Sequence, residues 1–430
     1  MRRSRRGREG DWLKATNQFT LDSTKFAVEF ASFIDFIGAD NFLRVLRKVD
    51  QKLGQLRPSV RTLFGDRYFF HEQCISFTDG QHPFQLDPSS FYAIRSASLI
   101  AGINRARLLL PPLAKARFRS MLLNSLKPNR DVRQIEHEIR CFIHFGQKGI
   151  NVAFADLEEK GRFDLICEAQ DASFDVECKT VSEDTGSQIK SEMIVGLCEA
   201  FHKSVHQKLP VHQSGIFVLT LKKPGDLCKN LASELKSAFE SPTPSSFDGN
   251  NFVLSFVPRP AWHDYLRENK WQEIKESASD DPEIERHAHC VIRKDNCVLG
   301  LSLRPHKKNT LSERVIEVLK AAADQCSKLR PSLLWLHFIG FAENEFLHLA
   351  EFSIESHGGL NLLVAEALHP EASTTDRSHV QSIRFSSVTS KIATKPILDS
   401  NRLIVNSKSV DGACYDVPNP FCRFDLKIDY

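Results

Sequence analysis

The chain has no CxxC pair, although eleven of its 430 residues are cysteines. An odd, scattered set of this kind argues for free thiols in a reducing compartment, and so for a cytoplasmic protein. Long apolar runs are missing as well. The longest, Ser332 to Ala342, carries His337 and falls short of the roughly 20 residues needed to cross a bilayer. No apolar core follows the basic opening MRRSRRGREG, so it is not read as a secretory signal, and no membrane association is expected. Glycine (20) and proline (19) are too sparse for a collagen-like or low-complexity chain, and no heptad or other repeat persists. P-loop, GxGxxG and GxSxG patterns are absent, which leaves nucleotide-driven motion and acyl-hydrolase chemistry without support.

What is present suits a globular protein of two or three domains: 41% of residues are hydrophobic and 26% charged. The net charge of +3 decides little, but its distribution is uneven. Nine basic residues and one acid, Asp131, lie between Phe91 and Arg133, and five of the first eight residues are arginine. Such a block is the electrostatic footprint of a phosphate-backbone binder, with Arg105, Arg107, Lys115, Arg117 and Arg119 as candidate contacts. Solvated helix faces are the plainer explanation of any one of them.

Three regions are expected. Residues 1–125 read as mainly helical and basic, with Phe26, Phe30, Phe33, Phe36 and Ile37 at helical spacing and a break near Gly38-Ala39-Asp40. Residues 126–241 read as an α/β domain: a helix over 130–149, strands at Phe163–Cys167 and Ser173–Val181, a helix at Gln188–Leu209 and a strand at Gly215–Leu221. Residues 250–430 read as a further α/β region. It has a hairpin around Asp295-Asn296, a helix at Leu311–Cys326 and a buried strand at Ser332–Ile339, which extends the same sheet or forms a separate module.

Chemistry concentrates in GRFDLICEAQDASFDVECKTVS, Gly161 to Ser182. Side chains alternate along a strand, so Asp175, Glu177 and Lys179 share one face, opposite Val176, Cys178 and Thr180. Burying two acids and a lysine together is costly unless they bind something. Asp164 on the preceding strand adds a carboxylate. Asp164 and Glu177 can hold a hard divalent cation, and Lys179 can orient or deprotonate a nucleophile or stabilise developing charge. An exposed Glu177–Lys179 ion pair is the bland alternative.

Asp164, twelve intervening residues, then Glu177-Cys178-Lys179 on the next strand resembles the motif of the PD-(D/E)xK nuclease superfamily, the restriction-endonuclease-like fold. The likeness spans about residues 128–241, with Phe163 where the name-giving proline would sit. It implies a Mg²⁺-dependent (or Mn²⁺-dependent) endonuclease, most directly on DNA, with RNA open. It further implies a metal contact from the Cys178 main-chain carbonyl, a homodimer if both strands are cut, and a setting in antiviral defence with a defence-complex partner. A preceding acidic helix is also usual, and RQIEHEIRCFIHFGQKGINV supplies one. Its apolar face centres near residues 135 and 142, so Glu138 lies roughly 60° from that centre and Glu136 roughly 100°. Glu138 is the favoured site acid.

Gln188 and Lys190, opening the helix after the motif, are candidate phosphate or water contacts. His287, His289, Cys290 and Cys297 superficially resemble zinc ligands, but a hairpin would send them to alternating faces. A non-catalytic nucleic-acid-binding or assembly scaffold is the rival to a nuclease.

Overall fold

The computed structural model describes residues 20–22, 26–55, 65–78, 90–128, 130–169, 172–182, 184–187, 189–207, 213–225, 228, 230–240, 246–271, 273–274, 277, 289–307, 310–341, 359–369, 375–388, 397–399, 402–404 and 411–424. The arginines among the first eight residues, Gln188 and His287 therefore fall outside the described residues.

After a short strand β1 (Thr20–Asp22), the chain forms helices α1 (Phe26–Ile37), α2 (Ala39–Gly54), α3 (Gly65–Thr78), α4 (Phe91–Leu109), α5 (Pro112–Ser125) and α6 (Val132–Gln147). The expected break between the first two lies at Gly38, whose φ of 93° suits a residue without Cβ. In α2 the buried Phe42, Leu46, Val49 and Leu53 form one helical stripe. Ser90 caps α4 by accepting the Ala93 N–H, and Asp131 caps α6 by accepting that of Arg133. Gly102 lets α4 approach α6 closely: a Cβ there would meet the Ile139 side chain at 2.6 Å.

Strands β2 (Asn151–Phe154), β3 (Leu165–Glu168) and β4 (Ser173–Ser182) follow as an antiparallel ribbon. The chain then builds α7 (Ser191–Gln207), β5 (Gly215–Leu221), α8 (Leu231–Glu240), β6 (Ser246–Asp248), β7 (Phe252–Pro258), α9 (Pro260–Arg267), β8 (His289–Lys294) and β9 (Cys297–Arg304). It continues through α10 (Leu311–Gln325), β10 (Ser332–Ile339), α11 (Gly359–Leu368), β11 (Val380–Val388), β12 (Ile397–Asp399), β13 (Arg402–Ile404) and β14 (Asp411–Pro418). The expected hairpin turns at Asp295, with φ 54°.

Two compact units result, one of residues 1–55, 64–182 and 314–430, the other of 56–63 and 183–313. In the first, a mixed six-stranded sheet runs β14-β11-β10-β4-β3-β2, and β1-β13-β12 forms a small antiparallel sheet. In the second, a mixed five-stranded sheet runs β6-β7-β5-β9-β8. The protein is thus α/β with two mixed sheets, and none of the described helices is long and apolar enough to cross a membrane.

The boundaries differ from the sequence reading in two respects. Residues 1–125 are not a separate domain: Phe33, Phe70, Ile100 and Phe118 share one core with Ile139, Val176, Cys178 and Trp335. The amphipathic faces of those helices are the cover for the sheet, which a scan of local pattern does not reveal. Second, Gly215–Leu221 pairs with β7 and β9 rather than with the motif strand. The parallel neighbour of β4 is β10, in register Leu334↔Glu177 and Leu336↔Lys179. SLLWLHFI is buried at every position, as a strand with parallel partners on both edges requires. Of the two alternatives left open by the sequence, this strand extends the motif sheet.

Candidate active site

Three elements converge on one acidic cluster. Ala155 N–H donates to the Asp164 carbonyl at 2.8 Å, closing the β2–β3 connection and setting Asp164 at the entrance to β3. Its half-buried carboxylate accepts the Cys178 N–H at 2.7 Å, which ties it to the strand bearing Glu177. Alternation along β4 sends Phe174, Val176 and Cys178 into the helical core and leaves Glu177 and Lys179 on the opposite face.

Glu177 is 1% exposed. One carboxylate oxygen pairs with Lys179 Nζ, while Oε2 has no hydrogen-bond partner among the described residues. Burial first, and then the neighbouring Asp164, push Glu177 up to about 8 against the opposing pull of Lys179. Asp164 is also raised, because burial outweighs the Cys178 N–H and Lys179. For Lys179, burial pulls downward but Glu177 and Asp164 raise it on balance. Above about pH 8 the Glu177–Lys179 pair is therefore ionic; below it Glu177 holds a proton and Lys179 keeps its charge.

The two acids of α6 separate clearly. Glu136 is buried and grips Arg95 with two bonds of 2.7 Å, and Arg95 also binds Asp66. Glu138 instead belongs to the cluster: burial, then Asp164, Asp156, Cys141 and Glu177, push its carboxyl well above the usual range. Asp175, on the same face of β4 as Glu177, accepts from Arg330 Nε at 2.8 Å and from Ser327 N–H at 3.0 Å. Those partners give it a structural task at the start of the strand.

Carboxylates crowded this closely around one ammonium, with a buried oxygen lacking a partner, fit a hard divalent ion, which takes oxygen ligands. Asp164 and Glu177 would hold it, with Glu138 in electrostatic reach. When bound, such an ion polarises a phosphate and lowers the pKa of a bound water. Lys179 stands where it can hold a proton or face developing negative charge.

The basic block is partly internal. Arg95 and Arg133 are buried against Asp66, Asp131 and Glu136. Arg107 donates to the Ser32 carbonyl and hydroxyl, Arg119 to the Ile37 carbonyl at 3.0 Å, and Arg117 to the Leu157 carbonyl and Glu159. Arg105 is exposed and Lys115 half-buried. Lys190 precedes α7, which begins at Ser191, and donates to the Asp184 carbonyl at 2.6 Å within the second unit. The arginines at 107, 117 and 119 thus brace the helices they sit on, whatever else they bind.

Sequence reasoning missed three residues. Asp156 joins the cluster through the short β2–β3 connection, eight residues before Asp164. His137 and Cys141, one turn apart on α6, approach Cys178 from the core side. The signal for these two was their i, i+4 spacing beside Glu138. The Cys290 thiol of the apparent zinc set instead shares a hydrogen bond with the Cys198 thiol, both being free cysteines. No family model, curated protein or solved structure matches the chain.

Proposed function

We propose that this chain is a metal-dependent nuclease of the PD-(D/E)xK type, hydrolysing phosphodiester bonds in DNA with Mg²⁺ or Mn²⁺. The observation that carries the reading is the buried Glu177, with one oxygen on Lys179 and the other without a partner among the described residues, beside a pinned Asp164. A folded protein gains no stability from that arrangement, and a bound cation removes its cost.

The order of elements supports the same reading. An acidic helix (α6) precedes the motif strands β3 and β4, and a helix and strand (α10 and β10) follow, with β10 beside β4. Residues 183–313 interrupt that order as a separate unit. Asp164 and Glu177, with the Cys178 carbonyl, hold the cation; Lys179 serves the nucleophile; Glu138 supplies a further acid. Arg105, which is exposed, and the half-buried Lys115 are the residues of the block proposed to meet phosphates. Pairing of two chains and a place in cytoplasmic defence against foreign DNA belong to the proposal as well, on analogy with restriction-type enzymes alone.

The test is cleavage of supercoiled plasmid, linear duplex, single-stranded DNA and RNA by the full chain, with Mg²⁺, Mn²⁺ or chelator. Metal-dependent cleavage of DNA is expected. Cleavage of RNA alone moves the substrate, and tight binding without cleavage of any of them makes the chain a scaffold.

A further inference from the structure

On the other side of β4 from Glu177 and Lys179 lies a second group of metal-competent side chains. We propose that His137, Cys141 and Cys178 form a site for one thiophilic divalent ion of the zinc class, with a ligand set distinct from the Asp164–Glu177 pair. The inference stands independently of the nuclease reading.

The three ligand atoms lie within 4.8 Å of one another, and the residues are 2%, 0% and 7% exposed. Helical spacing stacks His137 and Cys141 one turn apart on α6. Strand alternation turns Cys178 toward them, away from its neighbours Glu177 and Lys179.

The histidine is oriented as a metal needs. His137 Nε2 is 2.9 Å from the Trp335 carbonyl, which can only accept, so Nε2 carries the proton. Nδ1 is then the nitrogen left to coordinate, 3.7 Å from Cys141 Sγ. A histidine that gives its second N–H to a carbonyl is the usual arrangement around a ligated metal. Trp335 faces Cys178 in the β4–β10 register, so the same strand that orients the imidazole flanks the second thiol.

The spacing suits the ion. Tetrahedral zinc, with bonds of about 2.3 Å to sulfur and 2.0–2.1 Å to nitrogen, holds its S and N ligands about 3.6 Å apart. The His137–Cys141 pair already has this spacing at 3.7 Å, and bringing the whole set to it needs shifts of up to about an ångström. Two sulfurs and an imidazole select zinc-class ions, whereas the oxygens of Asp164 and Glu177 select Mg²⁺ or Mn²⁺, so the two faces of β4 sort metals by ligand chemistry. Binding converts both thiols to thiolates and releases their two protons to solvent. Three protein ligands leave a tetrahedron's fourth position open. An ion there would pin α6 to β4, the two elements that carry Glu138 and Glu177.

The probe is Co²⁺ added to the reduced, chelator-treated full chain. One equivalent should produce a sulfur-to-cobalt charge-transfer band in the near ultraviolet with strong visible d–d absorption, and Zn²⁺ should displace both. Cys141→Ala and Cys178→Ala should each abolish the band, and Glu177→Gln should keep it. Absence of the band in the wild type, or its survival in both cysteine variants, overturns the proposal. Should the variants fail to fold, the wild type decides by peptide mapping of alkylation in mild denaturant. Zinc at ten times its dissociation constant should slow labelling of Cys141 and Cys178 about tenfold. Labelling of both at an unchanged rate overturns it.

Discussion

Replacing Glu177 with glutamine should change how the stability of the metal-free protein depends on pH. The native carboxyl sits at about 8 against an ordinary 4.5, so between these values the folded state holds a proton that the unfolded state has lost. Stability then falls as pH rises from about 4.5 to 8 and is flat above. At about 1.4 kcal/mol per pH unit the loss amounts to at most about 5 kcal/mol, shared with Asp164 because the two acids titrate together. Glutamine keeps the shape and the bond to Lys179 but cannot ionise. The variant should therefore match the wild type near pH 5 and exceed it near pH 8 by about 2–5 kcal/mol. Urea unfolding of both proteins with chelator at half-unit intervals from pH 5 to 9 reads this directly. Saturating Mg²⁺ should close the gap from the wild-type side, since the ion binds only the folded carboxylate form. Parallel pH profiles for the two proteins would refute the reasoning, because Glu177 would then be ionised and satisfied without a cation.

Three further outcomes are expected. Glu136→Ala removes two bonds from the buried Arg95, which keeps Asp66, and should cost about 3 kcal/mol in urea unfolding. Glu138→Gln should leave stability at pH 7 near the wild-type value while weakening Mn²⁺ binding in a calorimetric titration. Replacing Arg105 and Lys115 with alanine should weaken binding to all DNA sequences alike and flatten the logarithmic salt slope by about 0.9 per lost phosphate contact, as read by fluorescence anisotropy across a salt series.

The motif strand and its acids were readable because strand alternation is a local rule: Glu177 and Lys179 share a face whatever surrounds them. The angles that Glu136 and Glu138 make with the apolar stripe of α6 did not foretell their burial: Glu136, expected to lie farther out, is the more buried, held by Arg95. The neighbour of β4 was not readable either. Gly215–Leu221 and Ser332–Ile339 are both continuous apolar runs, and local pattern cannot say which one pairs across more than a hundred intervening residues. The basic block misled for a related reason. Counting charge along the chain treats Arg95 and Arg133 as surface, whereas their partner Asp66 lies outside the block in sequence and beside them in space. His137 and Cys141 escaped notice because their third ligand, Cys178, belongs to a strand that had already been assigned to other chemistry.

The central claim is most directly tested by single-turnover cleavage of plasmid DNA by wild type and Lys179→Ala at equal, saturating Mg²⁺, with melting curves for both. A folded variant that still binds DNA but cleaves it about 10²–10⁴ times more slowly, without rescue by excess Mg²⁺, is the predicted result. Cleavage by the variant at the wild-type rate would contradict the assignment of Lys179, Glu177 and Asp164 as the reacting centre.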